Sequence, residues 1–300
     1  EKNIYSFLSD LKTDANFFVF RDNCSDRDID NFFAGLLDFI KQQHSAVIFN
    51  NVASWAGYFP VFEKCAAKSN LFFQAIDYSV CPVLKCETPE EIRAIINRSR
   101  TLRNSVNKIR HNQKAVFEVL TGDEDLEHWV KEFCFSHIQR WEKTSTPSSY
   151  RNMDRQVFLL KCLQAWSADK VLVRFAIKVN QQRIGFHICL IEQNSMIGHS
   201  MTYHPDYQKL SPARVLLLTM AEWMTENKLR ILDFGNGNEK YKYNYINQEL
   251  VLKRVFISKK ANFLFIVKSQ LIKLVKNNSR IYNIYQKKIK IYLNRNRDAK

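Results

Sequence analysis

The sequence predicts an α/β (α+β) fold, and three observations support this prediction. Segments with the hydrophobic patterns of strands and of helices alternate along the 300 residues, which is typical of layered α/β architectures. Hydrophobic residues make up 46% of the chain, enough for a large core. The chain holds only seven glycines and six prolines, which excludes collagen-like and Gly-rich linker proteins.

The first 120 residues contain an irregular series of such elements. Strands are predicted at 17–20 and 46–49, helices at 29–42 and 55–68, and an extended segment at 71–84. A further helix begins after Thr88 as the capping residue, because a proline and two acids follow it.

From residue 115 the pattern is more regular. A strand at 115–120 precedes a helix that ends near Trp141 and carries an apolar stripe. The remaining predictions are a helix at 153–167, strands at 171–179, 183–191 and 196–204, a helix at 213–227, a strand at 230–234, a short helix at 238–244 and a strand at 250–257. The polar links at 180–182 and 193–195 are short enough for antiparallel hairpins. We predict two domains, 1–118 and 119–262, followed by a basic helical tail at 263–300.

The charge of the chain is positive and unevenly distributed. The net charge is +15, and residues 268–300 hold ten basic residues and one acid. A second stretch, 93–114, holds seven basic residues and no acid. Such surfaces attract phosphate groups, nucleic acid, anionic lipid or an anionic cofactor, although a solvated helix face is an alternative.

The seven cysteines have irregular spacing and no C-x-x-C pair, which predicts reduced thiols in a cytosolic protein and neither disulfides nor a metal site. No apolar run approaches the ~20 residues that cross a bilayer. We therefore expect a cytoplasmic protein.

Two segments carry candidate chemistry. The turn at 207–214 joins a strand to a helix, where free N–H groups and the helix dipole suit a phosphate. A plain capped helix start, with Ser211 as the cap and Pro212 in first position, is the alternative. At 232–242, two glycines at a strand end accompany an acid, a phenol and an amine that suit acid–base catalysis. The Asp-Phe-Gly there lacks the other protein-kinase motifs.

Three histidines are further candidates. His137 lies on the apolar stripe of its helix, so a hydrogen-bonded core histidine is an alternative to a site residue. His187 and His199 lie within strands, where a lone histidine is usually structural, and none of the three shows the pattern of a catalytic triad or metal site.

Together these segments, from about 93 to 257, resemble the GNAT superfamily of N-acyltransferases and, more closely, the CelD/BcsL-type acetyltransferases associated with polysaccharide biosynthesis. The matching segments are the Arg-rich 98–110, His137-Ile-Gln-Arg-Trp141, 203–212, and Asp233-Phe-Gly-Asn-Gly with Glu239, Tyr241 and Lys242. The resemblance implies tandem GNAT-like domains, the first degenerate as in Fem-type aminoacyl transferases, built on mixed, mostly antiparallel sheet flanked by helices.

The resemblance also implies an acyl-CoA donor, with acetyl-CoA as the simplest case, and direct transfer to an amine of an amino sugar, sugar nucleotide or related glycan precursor. A backbone N–H near Met201 would hold the oxyanion, and Tyr241 would protonate the leaving thiolate. The candidate bases are Asp233, Glu239 and His199. The implied donor-binding residues are Met201, Tyr203, Gln208, Lys209, Ser211, Ala213 and Arg214. The implied acceptor side consists of His137, Arg140, Trp141 and Lys242.

In the superfamily, the loop that binds the CoA pyrophosphate follows a Gln/Arg-x-x-Gly-x-Gly/Ala pattern. Here it reads Gln208-Lys-Leu-Ser-Pro-Ala213, so Ser211 replaces the first glycine.

Two other functions fit the sequence. The positive charge suits a Fem-like transferase that uses aminoacyl-tRNA, although the coiled-coil hairpin frequent in such enzymes is missing from the sequence pattern. The other function that fits is that of a non-catalytic basic interaction module. In either case, residues 268–300 alternate apolar and basic side chains, which predicts contact with an anionic membrane surface, peripherally at the inner membrane.

Overall fold

A computed structural model describes residues 4–9, 13–43, 45–112, 114–142, 144, 147–278 and 281. The strands are β1 (Ile4–Tyr5), β2 (Ala46–Ala53), β3 (Phe72–Lys85), β4 (Val116–Leu120), β5 (Leu172–Val179), β6 (Gln182–Glu192), β7 (Ser195–Tyr203), β8 (Ile231–Asp233) and β9 (Gln248–Ser258). The helices are α1 (Asp26–Gln42), α2 (Phe59–Lys68), α3 (Pro89–Asn97), α4 (Arg100–Asn107), α5 (Leu126–Trp141), α6 (Met153–Ala168), α7 (Pro212–Glu226) and α8 (Phe263–Asn277). Short 3-10 helices occur at Ser149–Arg151, Pro205–Leu210 and Lys242–Asn244, and a π-helical turn at Lys108–Asn112.

The described residues fall into two compact units. The first unit lies within 1–81, 236–238 and 249–300, and the second within 82–235 and 239–248. The predicted α/β fold with mixed, mostly antiparallel sheet flanked by helices is confirmed. The predicted domain limits at 118 and 262, and a degenerate GNAT-like domain at 1–118, stay predictions.

In the first unit the strand order is β1-β2-β9-β3. Helix α1 begins with a capping box, in which the Ser25 and Asp28 side chains each accept a hydrogen bond from the other residue's backbone N–H. Its apolar stripe of Phe33, Leu37 and Ile40 is buried in the core. This core is rich in aromatic rings, and α2 completes it.

The predicted strand at 17–20 is wrong, because among the described residues this segment forms no ladder of backbone hydrogen bonds with a neighbouring strand. Only Asn16 forms an isolated bridge, with Val52. The Phe18 N–H donates to the Tyr58 hydroxyl at 3.1 Å. The ring of Phe18 packs edge-on against Phe33. Aromatic packing therefore holds the segment where the pattern suggested strand pairing.

In the second unit the strand order is β3-β8-β7-β6-β5-β4, and only β7 and β8 are parallel. Val173, Phe175 and Ile177 of β5 enter one core, and Phe186 and Ile188 of β6 enter the other, because successive side chains of a strand point to opposite faces of the sheet. One core contains α3, α4 and α7, and the other contains α5 and α6. Two smaller predictions also need correction. Thr88 occupies the N-cap of α3 without a side-chain capping bond, and the helix predicted at 238–244 is only the 3-10 turn at 242–244.

A buried ion cluster ties β4, β6 and the start of α5 together. The Arg183 side chain, which is 2% exposed, donates to Glu118 at 2.6 Å, to Glu132 at 2.7 Å and to Asp125 at 2.8 Å. Lys178 adds a second cation 2.7 Å from Glu118. The Arg183 guanidinium of β6 thus bonds to three carboxylates, one from β4 and two from α5 and its N-cap, which fixes the relative positions of these elements.

Candidate active site

Strands β7 and β8 separate after a short common stretch. Ser195–Ile197 pairs with Ile231–Asp233, and β7 then continues to Tyr203 while β8 ends. The next residue, Phe234, donates its N–H to the Pro82 carbonyl at 3.0 Å on the β3 side. Within the described ranges, no strand pairs with this edge of β7 beyond Ile197. We call this edge of β7, from residue 198 to 203 beside the end of β8, the β7/β8 opening.

A β-bulge in β7 lies next to the opening. Cys189 pairs with Gly198 and Ile188 with Ser200, so His199 is the extra residue on the bulged strand. The ring of His199 packs edge-on against Trp166 of α6, with ring centroids 5.1 Å apart. The bulge shifts the orientation of the backbone that follows it.

The backbone of Met201 faces the opening. The His204 N–H donates to the Ile184 carbonyl at 2.9 Å, which marks a hydrogen-bonded pair of the antiparallel ladder. Because such pairs alternate, the Met201–His187 pair is of the non-hydrogen-bonded kind. The N–H and carbonyl of Met201 therefore point away from β6 and toward the side that β8 has left.

Two polar side chains converge on Met201. The Arg140 Nη1 lies 3.5 Å from the Met201 carbonyl oxygen, and the Tyr241 hydroxyl lies 3.7 Å from Sδ. The Arg140 guanidinium stacks over the Tyr203 ring at 4.2 Å and lies 5.4 Å from the Trp141 ring. Arg140 of the 137–141 motif and Tyr241 of the 233–242 motif thus meet at Met201, and Tyr203 of the 203–212 motif contacts Arg140.

Burial raises the pKa of the Tyr241 phenol above its ordinary value of 10, and the Glu239 carboxylate raises it further. The Arg140 guanidinium acts in the opposite direction, but its effect is smaller. Tyr241 is therefore protonated at neutral pH. Its hydroxyl is a proton donor next to the opening.

Asp233 is the last residue of β8 that pairs with β7. Burial raises the pKa of its carboxyl, although the Gly235 N–H, which donates to Oδ1 at 2.8 Å, and the Lys242 ammonium act against this. Gly235 has φ 72°, a backbone conformation that favours glycine. A largely buried carboxyl thus lies at the vertex of the opening.

Lys242 is buried and Glu239 is exposed. The Lys242 amine donates to the Gly235 carbonyl at 3.0 Å and to the Glu239 carboxylate at 2.8 Å. In this position Lys242 holds the turn after β8.

The loop that leads into α7 has an unusual start. Ser211 occupies the N-cap and Pro212 the first turn, as the alternative of a capped helix start expects, but Ser211 has φ 52° and ψ 51° and its side chain makes no capping hydrogen bond. Gln208 and Lys209 are exposed on the preceding 3-10 helix. The Arg214 Nε is buried without a hydrogen-bond partner among the described residues.

Strand β6 positions this loop through Gly185 and His187. A Cβ at Gly185 would lie 2.8 Å from the Cβ of Pro212. The His187 Nε2 lies 2.7 Å from the Ala213 carbonyl oxygen, and burial lowers the His187 pKa to about 4, so the ring is neutral and donates. Sequence reasoning assigned neither residue to the site. The strand pattern could have placed Gly185 and His187 together, because residues two positions apart in a strand share one face of the sheet.

His137 is a partnered histidine. Its Nδ1 lies 2.8 Å from the Ser148 hydroxyl, and its ring stacks on Trp141 at 5.9 Å. This fits the alternative of a hydrogen-bonded core histidine, and a role in binding stays a prediction. In the part of the chain that the structure describes, no three His, Cys, Asp or Glu side chains are grouped to hold a metal ion.

Comparison with known proteins gives one family match. Residues 97–243, just under half of the chain, match the family model of the acetyltransferase (GNAT) domain. No curated protein sequence matches.

Several solved structures share the fold. The C-terminal domain (DUF2156) of a protein described as a lysylphosphatidylglycerol synthetase from Agrobacterium fabrum is 10% identical, with a TM-score of 0.54 over 83% of this chain and 78% of that chain. FemX is 9% identical, with a TM-score of 0.52 over 83% and 79%. L-PGS from Bacillus licheniformis is 10% identical, with a TM-score of 0.50 over 81% and 77%. At these identities the likeness shows the fold alone. The family match at residues 97–243 supports an acyltransferase with a GNAT-like acetyltransferase domain.

Proposed function

We propose that the protein transfers an acyl group, acetyl in the simplest case, from an acyl-CoA thioester to an amine of an amino sugar, sugar nucleotide or related glycan precursor, as a CelD/BcsL-type enzyme. The observation that carries this proposal is the β7/β8 opening, where the Met201 N–H points away from β6 and the Tyr241 hydroxyl lies 3.7 Å from Sδ of the same residue. An opening between two parallel strands suits a thin, extended chain with amide groups that bond to strand edges.

The loop before α7 supports binding of the donor's phosphates. The N-terminus of α7 supplies backbone N–H groups and the positive end of a helix dipole. The buried Nε–H of Arg214 would gain a partner from a phosphate oxygen. Ser211 has a positive φ, a conformation that favours glycine, at the position where the superfamily pattern has a glycine.

The chemistry divides among three residues. The acceptor nitrogen attacks the thioester carbonyl carbon, and the Met201 N–H stabilises the oxyanion, a contribution of roughly 3–4 kcal/mol. The carbon–sulfur bond then breaks, and the Tyr241 hydroxyl gives its proton to the leaving thiolate. Asp233 takes the proton from the amine, because its raised pKa makes it a stronger base than an ordinary carboxylate. We favour it over His199, whose ring packs on Trp166, and over the exposed Glu239.

The acceptor side suits an anionic group. Arg140 is held between Tyr203 and Trp141, and its guanidinium has donors besides the one that reaches Met201. A phosphate group on the acceptor would accept two hydrogen bonds from the Arg140 guanidinium. Among the proposed acceptors, this favours a sugar nucleotide over a neutral amino sugar.

A Fem-like aminoacyl-tRNA-dependent transferase is the second candidate. The exposed faces of α3 and α4 favour it, because Arg93, Arg98, Arg100 and Arg103 lie outward and no acid occurs between 92 and 115. Arginine rows of this kind bind phosphate backbones.

Calorimetry with acetyl-CoA and with charged tRNA, each at low and high salt, separates the two candidates. We expect acetyl-CoA to bind, and tRNA to bind weakly with a steep salt dependence. If acetyl-CoA gives no heat at millimolar concentration while charged tRNA binds tightly, the donor is aminoacyl-tRNA and the first proposal fails.

Tyr241→Phe tests the chemistry. General acids contribute about 10²–10⁴-fold to rate, so we expect turnover to fall by at least about 10²-fold while the Kd for acetyl-CoA stays within about twofold. Tyr243→Phe, an exposed neighbour on the same 3-10 turn, is the matched control and should keep full turnover. Equal turnover for both variants would remove Tyr241 from the mechanism.

A further inference from the structure

Helix α8 has two apolar faces, an inner one that is buried and an outer one that is exposed. Its inner face packs Phe265 and Ile272 into a small core with Ile76 and Phe256 of the first unit. Its outer face exposes a second set of apolar side chains: Phe263 (72% exposed), Leu264 (82%), Val267 (37%), Leu271 (56%) and Leu274 (63%). We call these five residues the outer row.

Helical spacing places the outer row on one stripe. From Leu264 onward its members are three or four residues apart, so their side chains line one side of the helix. A surface helix normally turns charged and polar side chains toward water. The outer row instead presents a contiguous apolar strip, a feature that marks interaction sites on proteins.

The charge around the outer row selects the partner. Between residues 250 and 297 the chain holds 13 Lys and Arg residues and no acid. On α8 itself, Lys268 and Lys273 are exposed, whereas the Lys276 amine donates to the Tyr78 carbonyl at 2.8 Å. The exposed leucine side chains would add nothing to the binding of a nucleic acid. An apolar strip flanked by lysines fits a surface that is anionic outside and apolar beneath.

We propose that the outer row of α8 inserts into the surface of an anionic lipid bilayer. The apolar side chains would reach the acyl chains, and the lysine amines would extend to the anionic head groups. The 15 residues of α8 span about 22 Å, less than the ~30 Å hydrocarbon core, so the helix lies along the interface. In the described residues, no helix is long and apolar enough to cross a membrane.

This surface differs from the one that the sequence predicted for 268–300. It begins at Phe263, and three of its five members precede residue 268. Residues 279, 280 and 282–300 of that prediction lie outside the described residues. The inference does not depend on the proposed reaction, because it concerns the first unit only.

Flotation of the full chain with phosphatidylcholine vesicles, with and without phosphatidylglycerol, tests the proposal. We expect flotation only with phosphatidylglycerol. The double substitution Val267→Glu/Leu271→Glu should lower vesicle binding at least about tenfold. Met153→Glu/Val157→Glu, an exposed apolar pair with the same spacing on α6, is the matched control and should float like the wild type.

Three results would overturn the proposal. The wild type could fail to float with anionic vesicles, or the α8 variant could float as well as the wild type. Alternatively, sedimentation could show a wild-type dimer that the α8 variant converts to a monomer, which would make a second copy the occupant of the outer row. An unchanged circular-dichroism melting curve confirms that the α8 variant is folded.

Discussion

Replacing Arg183 by Met keeps the aliphatic stem but removes the guanidinium that three carboxylates share. Glu118 and Glu132 are mostly buried, so each loses a charged partner that water replaces only in part. Asp125 is about half exposed and becomes solvated, so it adds little.

The expected cost follows from this arrangement. Removing one partner of a buried ion pair typically costs about 3–5 kcal/mol, and Lys178 still serves Glu118, which places Arg183→Met near the lower end. We expect a loss of about 3 kcal/mol in the free energy of unfolding. For a domain of this size, that loss corresponds to a fall of about 6–12 °C in Tm.

The penalty should depend on pH. Burial raises the pKa of Glu118 and of Asp125, but the hydrogen bonds and positive charges of Arg183 and its neighbouring cations, Lys178 among them, together outweigh burial and lower both pKa values below the ordinary ones. Carboxyls with a lowered folded-state pKa contribute stability above the unfolded pKa of about 4, and this stability is lost as pH falls through the folded value. The difference between wild type and Arg183→Met should therefore shrink below about pH 4.

Urea unfolding followed by tryptophan fluorescence measures the effect, because Trp129 is fully buried on the same helix as Glu132. Arg93→Met on the exposed face of α3 is the control and should change stability by less than about 0.5 kcal/mol. A loss below about 1 kcal/mol at pH 7, or an equal loss at pH 3 and pH 7, would refute the reasoning.

Three further predictions concern single positions. Gly185→Ala places a Cβ 2.8 Å from Pro212, so we expect calorimetry to show acetyl-CoA binding weakened by about tenfold and a lower Tm; unchanged values would show that the loop is not positioned there. His187→Gln should flatten the loss of stability as pH falls from 6.5 to about 4, because the folded-state pKa of about 4 makes the unfolded chain bind the extra proton; an unchanged pH profile in urea unfolding would contradict this. Gly35→Ala within α1 meets no atom within 4 Å and should stabilise by about 0.5–1 kcal/mol, and a destabilised variant would contradict it.

The elements of the second unit were predictable because their signals are local. The apolar stripe with Trp129 and Phe133 marks α5, and the short polar link at 180–182 marks the β5–β6 hairpin. At 17–20 the local signal misled, because a run of phenylalanines suits aromatic packing as well as a strand. Whether this segment pairs as a strand or packs its rings depends on which aromatic side chains the rest of the fold places next to it.

The candidate site was predictable only in its outline. The glycine pair after β8 indicated a special turn, and Gly235 has the positive φ that a glycine permits. The bulge at His199 depends on the register between β6 and β7, which no local pattern encodes. The burial of Lys242 likewise follows from tertiary packing, since lysine is usually exposed.

The most direct test of the β7/β8 opening is a titration of acetyl-CoA into protein labelled with ¹⁵N at methionine. The chain has five methionines, so the amide spectrum is simple, and Met201→Leu assigns the peak of interest. If the opening binds the thioester, the Met201 amide shifts strongly at saturation, while exposed Met153 at the start of α6 keeps its position. A saturating titration that leaves the Met201 amide in place would contradict the account.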